Sequence, residues 1–569
     1  MTQGGPLSYS CGLAGPALLG RTIDEVLSES ATRFPQGEAL VVCHQGVRLT
    51  YAEFQSRVSQ TAKGLMAVGV RKGDRVGIWA FNCEEWVLTQ FATAAIGAIL
   101  VNINPAYGTR ELAYALKQSG THTLLFQSHF KHSNYPAMLE EICPEIAQCR
   151  QGRLRSRNLP HLRKLVFLGE GKKHDWLVWQ DLNGLAQSIS DESLAARQAE
   201  LTFEDAINIQ YTSGTTGFPK GVVLTHHNLV NNALFIGKSM NLSDRDRICI
   251  PVPFYHCFGM VLGNLTAVLA GATMVIPSAT FDATHTLRAV EQERCTALYG
   301  VPSMFIAELE HPEFPRFHLG TLRTGIMAGS PCPIEVMKKV VERMHCRDIT
   351  IAYGQTESSP VITQTSVDDS IERRVATVGR VLPHTEVKIV DPVSGTIVAR
   401  GQPGELCSRG YLIMKGYYRN RKATREAIDS DGWLHTGDLA VMNADGYVNI
   451  TGRARDMIIR GGENIYPREI EEFLYTHPKI SDAQVIGVPD RKFGEEVMAW
   501  VRLKEGEAAT TEELKAFCKG KIAHYKVPRF FKLVTEFPMT VSGKVQKYKM
   551  REIAIQELGL EDLTKIQTA

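Results

Sequence analysis

Between residues 39 and 353 the chain alternates short β-branched runs with stretches of helical periodicity, and this alternation restricts its fold more than any other feature. The runs read ALVVCH, DRVGIWA, TLLF, KLVFLG, INIQY, RICIPV, TMVIP, TALYGV, LRTGIMAG and DITIAYG. Between them lie segments such as 84–100 and 334–345, whose apolar residues recur near helical spacing. Strands separated by helical crossovers pair in parallel, so the expected class is α/β, with mostly parallel sheets wrapped by helices. Thr50 and Glu53 in LTYAEF form a capping box and mark a helix start.

After Gly379 the texture changes to short strands broken by Pro-Gly and Ser-Gly turns, as in TEVKIVDPVSGTIVARGQPGELCSRGYLIMKGYY, which reads as antiparallel hairpins or a small β-barrel. A second change falls at residues 452–456. Beyond it the pattern is that of a compact α+β unit. With 569 residues, one hydrophobic core is not enough. The expected division is a large domain over 21–454, closed by the barrel, and a small mobile domain over 455–569.

A formal charge of +2 gives no attraction toward nucleic acid. Twelve cysteines are scattered without a CxxC pair, which suits reduced thiols and a cytoplasmic setting. The first twenty residues lack both the basic start and the apolar block of a targeting peptide, although a chain already relieved of such a peptide reads the same way. Residues 259–279 are uncharged, but Asn264, Thr266, the AGAT turn and Pro277 divide them into a buried helix and a short strand instead of a membrane span.

The stretch YTSGTTGFPKG, residues 211–221, follows the strand-like INIQ. A Walker loop requires Lys directly after its second Gly and a hydroxyl after that. Here Lys220 comes three residues after Gly217, and Gly221 holds the hydroxyl position. What remains is a loop in which Gly214 and Gly217 allow close backbone approach while Thr212, Ser213, Thr215 and Thr216 offer donors to phosphate oxygens and Lys220 adds charge. A Gly/Thr surface turn is the plainer alternative.

This loop resembles the phosphate-binding signature of the adenylate-forming superfamily, which includes acyl-CoA synthetases, adenylation domains of peptide synthetases and luciferases. PFYHCFG (253–259), YGQTE (353–357), GELCSRGYLIMKGYY from Gly404, WLHTGDLA from Trp433, GRARDMIIRGGENIYPREIE from Gly452 and PMTVSGK ending at Lys544 follow in the family's order. The resemblance spans residues 22–552. The wording of the segment from Gly452 most resembles the acyl-CoA synthetase family member 2 group, associated with medium-chain fatty acids.

The resemblance implies attack of a carboxylate on the α-phosphorus of ATP, giving acyl-adenylate and pyrophosphate, then thioester formation with CoA. It implies an ATP site built from Thr212, Ser213, Gly214, Thr215, Thr216, Gly217, Phe218, Pro219, Lys220, Ser330, Tyr353, Gly354, Gln355, Asp438, Arg453 and Lys544. Within it, Tyr353 would face adenine, Thr356 the α-phosphate and Asp438 the ribose, with Glu357 as the Mg²⁺ ligand. Lys544 matches the catalytic lysine that bridges carboxylate and α-phosphate. Arg455 stands at the hinge, where the family usually has Lys or Asp. Arg460, Gly461, Gly462 and Glu463 would line the CoA tunnel. His256 resembles the gate of an acyl pocket, and a structural histidine fits equally well. The basic stretch 515–532 suits either CoA phosphates or a solvated face.

No acidic residue lies within 253–271 to hold a substrate amine, so an apolar acid is expected. Aryl, short or branched acids remain alternatives, as does loading of an acyl carrier protein. The partners are thus small molecules, with a homodimer left open.

Overall fold

A computed structural model of the chain describes residues 6–12, 15–130, 133–169, 171, 174–212, 219–330, 332–453, 456–460, 463–519, 521–540 and 543–565. All ten β-branched runs contain strands. In a nine-stranded sheet, Glu38–Val42, Thr273–Ile276, Arg247–Cys249, Ala297–Gly300, Thr324–Ala328 and Asp348–Tyr353 lie parallel in that spatial order. In an eight-stranded sheet, Leu177–Val178, Lys164–Phe167, Thr123–Phe126, Arg75–Trp79, Ile99–Asn102 and Ala206–Thr212 do likewise before Lys220–Thr225 returns antiparallel. The α/β expectation holds.

Both sheets bury one face against a shared cluster that contains Ile78 and Leu100 of one and Leu40, Ile248 and Met274 of the other. Helix Glu84–Ala95 contributes to it Trp86, Val87, Leu88 and Phe91, all buried. A helix apolar on nearly every side has to sit inside. Each such large side chain withdrawn from water is worth about 1.5–3 kcal/mol.

One helix is shorter than its periodicity implies. The pattern over 84–100 ends as a helix at Ala95, Gly97 turns the chain at a φ of 67°, and Ile99–Asn102 is a central strand. Short apolar runs read alike in buried helices and buried strands, which hides such a boundary. Over 259–279 the expected helix and strand are present as a π-helical segment Phe258–Leu265, helix Thr266–Ala270 and strand Thr273–Ile276. Among the described residues no helix is long and apolar enough to cross a membrane. The Thr50–Glu53 capping box is formed in both directions.

The small barrel takes the form of a five-stranded antiparallel half-barrel, ordered Tyr9–Cys11, Thr385–Val390, Gly404–Gly410, Leu434–Met442 and Val448–Arg453. Its edge strand Tyr9–Cys11 comes from ahead of residue 21. The C-terminal part is α+β. The hairpin of Ile480–Asp490 and Gly494–Leu503 carries Phe530–Leu533 in parallel on one edge and packs helix Pro467–Tyr475 over Ile470, Leu474, Val485 and Val497. Its contacts with the rest of the chain include Ser481 Oγ, which donates to Glu310 Oε1 at 2.8 Å, Arg468 Nη1, which donates to the Ile450 carbonyl at 2.8 Å, and Ser303 Oγ, which donates to the Gly543 carbonyl at 3.3 Å.

Candidate active site

The parallel strands of an open α/β sheet present ligands at their carboxyl ends. Strand Asp348–Tyr353 runs out at such an end into YGQTE, where Thr356–Ser358 makes a single 3₁₀ turn. Only glycine fits at 354, because a Cβ there would lie 1.9 Å from the Pro360 carbonyl oxygen. Thr356 and Glu357 are buried. The turn is pinned by the segment that leads from half-barrel strand Gly404–Gly410 to the eight-stranded sheet, where Gly416–Tyr417 pairs with Lys220–Thr225: Ser359 Oγ donates to the Leu412 carbonyl at 2.6 Å, the Met414 amide donates to the Glu357 carbonyl at 3.0 Å, and Tyr417 Oη donates to Glu357 Oε1 at 2.8 Å. The Gln355 amide donates to Ser358 Oγ at 3.1 Å and closes the turn.

Tyr353 Oη donates to Asp438 Oδ2 at 2.7 Å, joining the end of the sheet to the half-barrel. Asp438 is the cross-strand partner of Arg453, so these two residues of the expected ATP site stand side by side in the backbone. Thr212 and Lys220 face each other at the mouth of the hairpin that carries the phosphate loop, and the Lys220 ammonium lies 5.0 Å from the centre of the Tyr417 ring. Pro219 is half-buried beside Lys220. Ser213, Gly214, Thr215, Thr216, Gly217 and Phe218 lie outside the described residues.

A small cavity is lined by Val252, Pro253, His256, Phe258, Val301 and Lys544. Here the C-terminal part reaches the large one. Lys544 ends a tight turn in which the Gly543 amide donates to the Thr540 carbonyl at 3.0 Å and the Lys544 amide to Thr540 Oγ1 at 3.0 Å. Gly329, at a φ of +90° just before Ser330, would carry a Cβ 3.5 Å from Lys544 Cε, so a bare backbone lets the lysine stem pass. His256 Nδ1 accepts the Phe258 amide at 3.1 Å, which assigns the ring proton to Nε2. Desolvation, with the Lys544 charge adding to it, brings the His256 pKa down to about 3, so the ring is neutral near pH 7. Burial pushes the neighbouring Cys257 thiol up to about 12.

Other candidates stand apart from this convergence. Arg460 makes a bidentate pair with Glu496 at 2.9 and 2.8 Å and lies over the Phe493 ring, while Glu463 is exposed across the hairpin from it. Gly461, Gly462 and Arg455 lie outside the described residues, as does the side chain of Arg453. In the basic stretch, Lys526, Arg529 and Lys532 pair with Glu469, Asp490 and Glu557, which favours a solvated, ion-paired face there. Tyr417 was not singled out by sequence, although it touches both Glu357 and Lys220; its only signal was its place in the GYY of a motif. A large surface cleft of about 610 Å³ opens at the opposite, amino-terminal ends of the strands, where Arg48 and Arg247 are held by Glu38 and Glu293.

The family model described as AMP-binding enzyme matches residues 27–418, and that of the AMP-binding enzyme C-terminal domain matches 469–544. YngI of Bacillus subtilis (strain 168) is 55% identical over 95% of this chain and 99% of its own. The mitochondrial medium-chain acyl-CoA ligase ACSF2 of Danio rerio is 47% identical over 97% of this chain and 91% of its own. The solved structure of the anthranilate CoA ligase AuaEII with anthranoyl-AMP superposes with a TM-score of 0.85 at 27% identity, covering 95% and 99% of the two chains. With similarity of this extent across both matched regions, the chain belongs to the AMP-binding enzymes and, among them, to the acyl-CoA synthetases.

Proposed function

We propose that this acid–thiol ligase activates a medium-chain or similar apolar carboxylic acid, first as its adenylate and then as its CoA thioester. The observation that carries the reading is Lys544 in the wall of an apolar cavity with His256, Phe258 and Val301. Carboxylate and α-phosphate are both anions, so their meeting needs a fixed positive charge more than a nucleophile. The Lys544 ammonium would lie between them, with the Lys220 ammonium and the hydroxyls of 212–216 on the phosphates. His256, neutral and with its proton on Nε2, would act as a hydrogen-bond donor at the acyl end, not as an acid.

Glu357 fits a magnesium ion, which commonly takes one or two carboxylates and completes its shell with substrate phosphates and water. Glu357 Oε1 is oriented by Tyr417, leaving Oε2 as the ligand atom. The ion would supply charge neutralisation at the phosphates.

We assign residues 21–454 to the adenylate-forming domain and 455–569 to a domain that turns about Arg455 between half-reactions, bringing the hairpin of Arg460 and Glu463 toward CoA. In that hairpin Arg460 serves as an anchor through Glu496. Twelve free thiols support a reducing cytoplasmic setting. The ligase name of the ACSF2 relative and the absence of an acidic residue in 253–271 support the apolar acid.

CoA-dependent AMP formation across acids from acetate to palmitate, together with aryl acids, tests this reading. The highest kcat/KM should fall on medium chains. A maximum on benzoate-like acids would move the assignment to an aryl ligase, and no pyrophosphate release with any acid would end it.

A further inference from the structure

Outside the catalytic convergence, one face of the half-barrel gathers a thiol, an imidazole and a carboxylate. Strands Gly404–Gly410 and Leu434–Met442 pair Cys407 directly with His435, and Glu405 lies two residues along on the same face. His435 Nδ1 is 3.5 Å from Cys407 Sγ and 3.0 Å from Glu405 Oε2, and the ligand atoms of all three lie within 4.8 Å of one another. Tetrahedral zinc, with bonds of about 2.3 Å to sulfur and about 2.0–2.1 Å to nitrogen or oxygen, separates S from N by about 3.6 Å and N from O by about 3.4 Å. The first spacing is already met, and the second needs a small rotation of one carboxylate.

The hydrogen bonding also has room for a metal cation. His435 Nε2 faces Asp429 Oδ2 at 3.5 Å, so the ring has a carboxylate at each nitrogen, and a neutral imidazole has one N–H to share between them. With a metal on Nδ1, the remaining N–H points at Asp429, the carboxylate–histidine arrangement that orients metal ligands. Glu405 Oε1 accepts the Gly437 amide at 3.0 Å, which fixes that carboxylate while Oε2 turns inward. Cys407 is buried against Trp433, while His435 and Glu405 are partly exposed and provide the way in.

We propose that Glu405, Cys407 and His435 form a binding site for a zinc-class divalent cation, with Asp429 as the outer carboxylate and water in the fourth position. On binding, the Cys407 S–H bond breaks, its proton passes to solvent and the S–metal bond forms, with no change of oxidation state. The site sits three residues before Asp438 on the same strand and is distinct from the magnesium position at Glu357.

The test is titration of chelator-treated full-length enzyme with Co²⁺ and Zn²⁺. Expected are about one equivalent of tightly bound metal, a thiolate-to-cobalt charge-transfer band and a metal-dependent rise in melting temperature. Cys407→Ser should abolish the band, and His435→Gln should weaken binding even if the serine variant does not fold. Asp429→Asn should weaken it about tenfold. No band with the wild type, or a band unchanged in both Cys407→Ser and His435→Gln, would overturn the site.

Discussion

The Tyr353 hydroxyl donates to Asp438 Oδ2 at 2.7 Å and so ties the end of the parallel sheet to the half-barrel. The two residues assigned to adenine and ribose are therefore set relative to one another before any nucleotide arrives. Asp438→Asn keeps the shape, removes the charge and weakens the hydrogen bonds it accepts. A charge-assisted hydrogen bond contributes about 1.5–3 kcal/mol, so the KM for ATP should rise about 10–100-fold with a smaller change in the KM for acid. Pyrophosphate exchange measured against both substrates decides it, and equal shifts in the two would count against a ribose role.

Lys544 reaches the cavity from the C-terminal domain, past Gly329. Lys544→Ala should lower adenylate formation by about 10²–10³-fold, the usual loss of a fixed charge at a transition state. Thioester formation from supplied acyl-adenylate should change by no more than about threefold, because the domain that carries Lys544 turns away between the two half-reactions proposed above. Comparable losses in both half-reactions would remove the assigned role.

Tyr417 bridges the site by donating to Glu357 and receiving Lys220 over its ring. Phenylalanine retains the ring and loses the hydrogen bond, which frees the Glu357 carboxylate to rotate. Tyr417→Phe should therefore need more Mg²⁺ for half-maximal activity and lose about tenfold in kcat, while the KM for acid stays close to wild type. An unchanged magnesium titration would show that the carboxylate is oriented by other groups.

The alternating runs made the parallel sheets readable, because burial on both faces forces a near-continuous apolar composition. The boundary at Ala95 was not readable, since ILVN is equally apolar as helix or strand and only Gly97 marks the change. In the site, Glu357, Asp438 and Lys544 are polar residues in recognisable phrases, and the fold places each of these phrases at the carboxyl ends of the sheet or facing it. Tyr417 escaped notice because an aromatic residue in a strand is ordinarily a packing residue. Its contacts arise only when strand Gly416–Tyr417 pairs with Lys220–Thr225 at the edge of the eight-stranded sheet and meets YGQTE, a long-range event that local pattern does not encode. The same holds for the pairing of Arg460 with Glu496, which lies 36 residues away in sequence.

His226 supplies a pH dependence independent of catalysis. It is fully buried, its Nδ1 accepts the Ile23 amide at 3.1 Å, and its Nε2 has no hydrogen-bond partner, so protonation would put an unsolvated charge in the core. Burial lowers its pKa to about 4, with Asp205 opposing the shift weakly. The unfolded chain titrates near 6.5, so the stability tied to the neutral ring is complete above that pH. Between 6.5 and 4 the unfolded state takes up a proton that the fold refuses, and stability falls; at pH 5 the loss is about 2 kcal/mol. His226→Gln removes this titration. It should be less stable than wild type at pH 8 through lost packing, yet its denaturation midpoint should fall less between pH 7 and pH 5. Other buried groups titrate in both proteins, so the difference between the two profiles isolates this histidine, and parallel profiles would show that its ring is protonated within the fold.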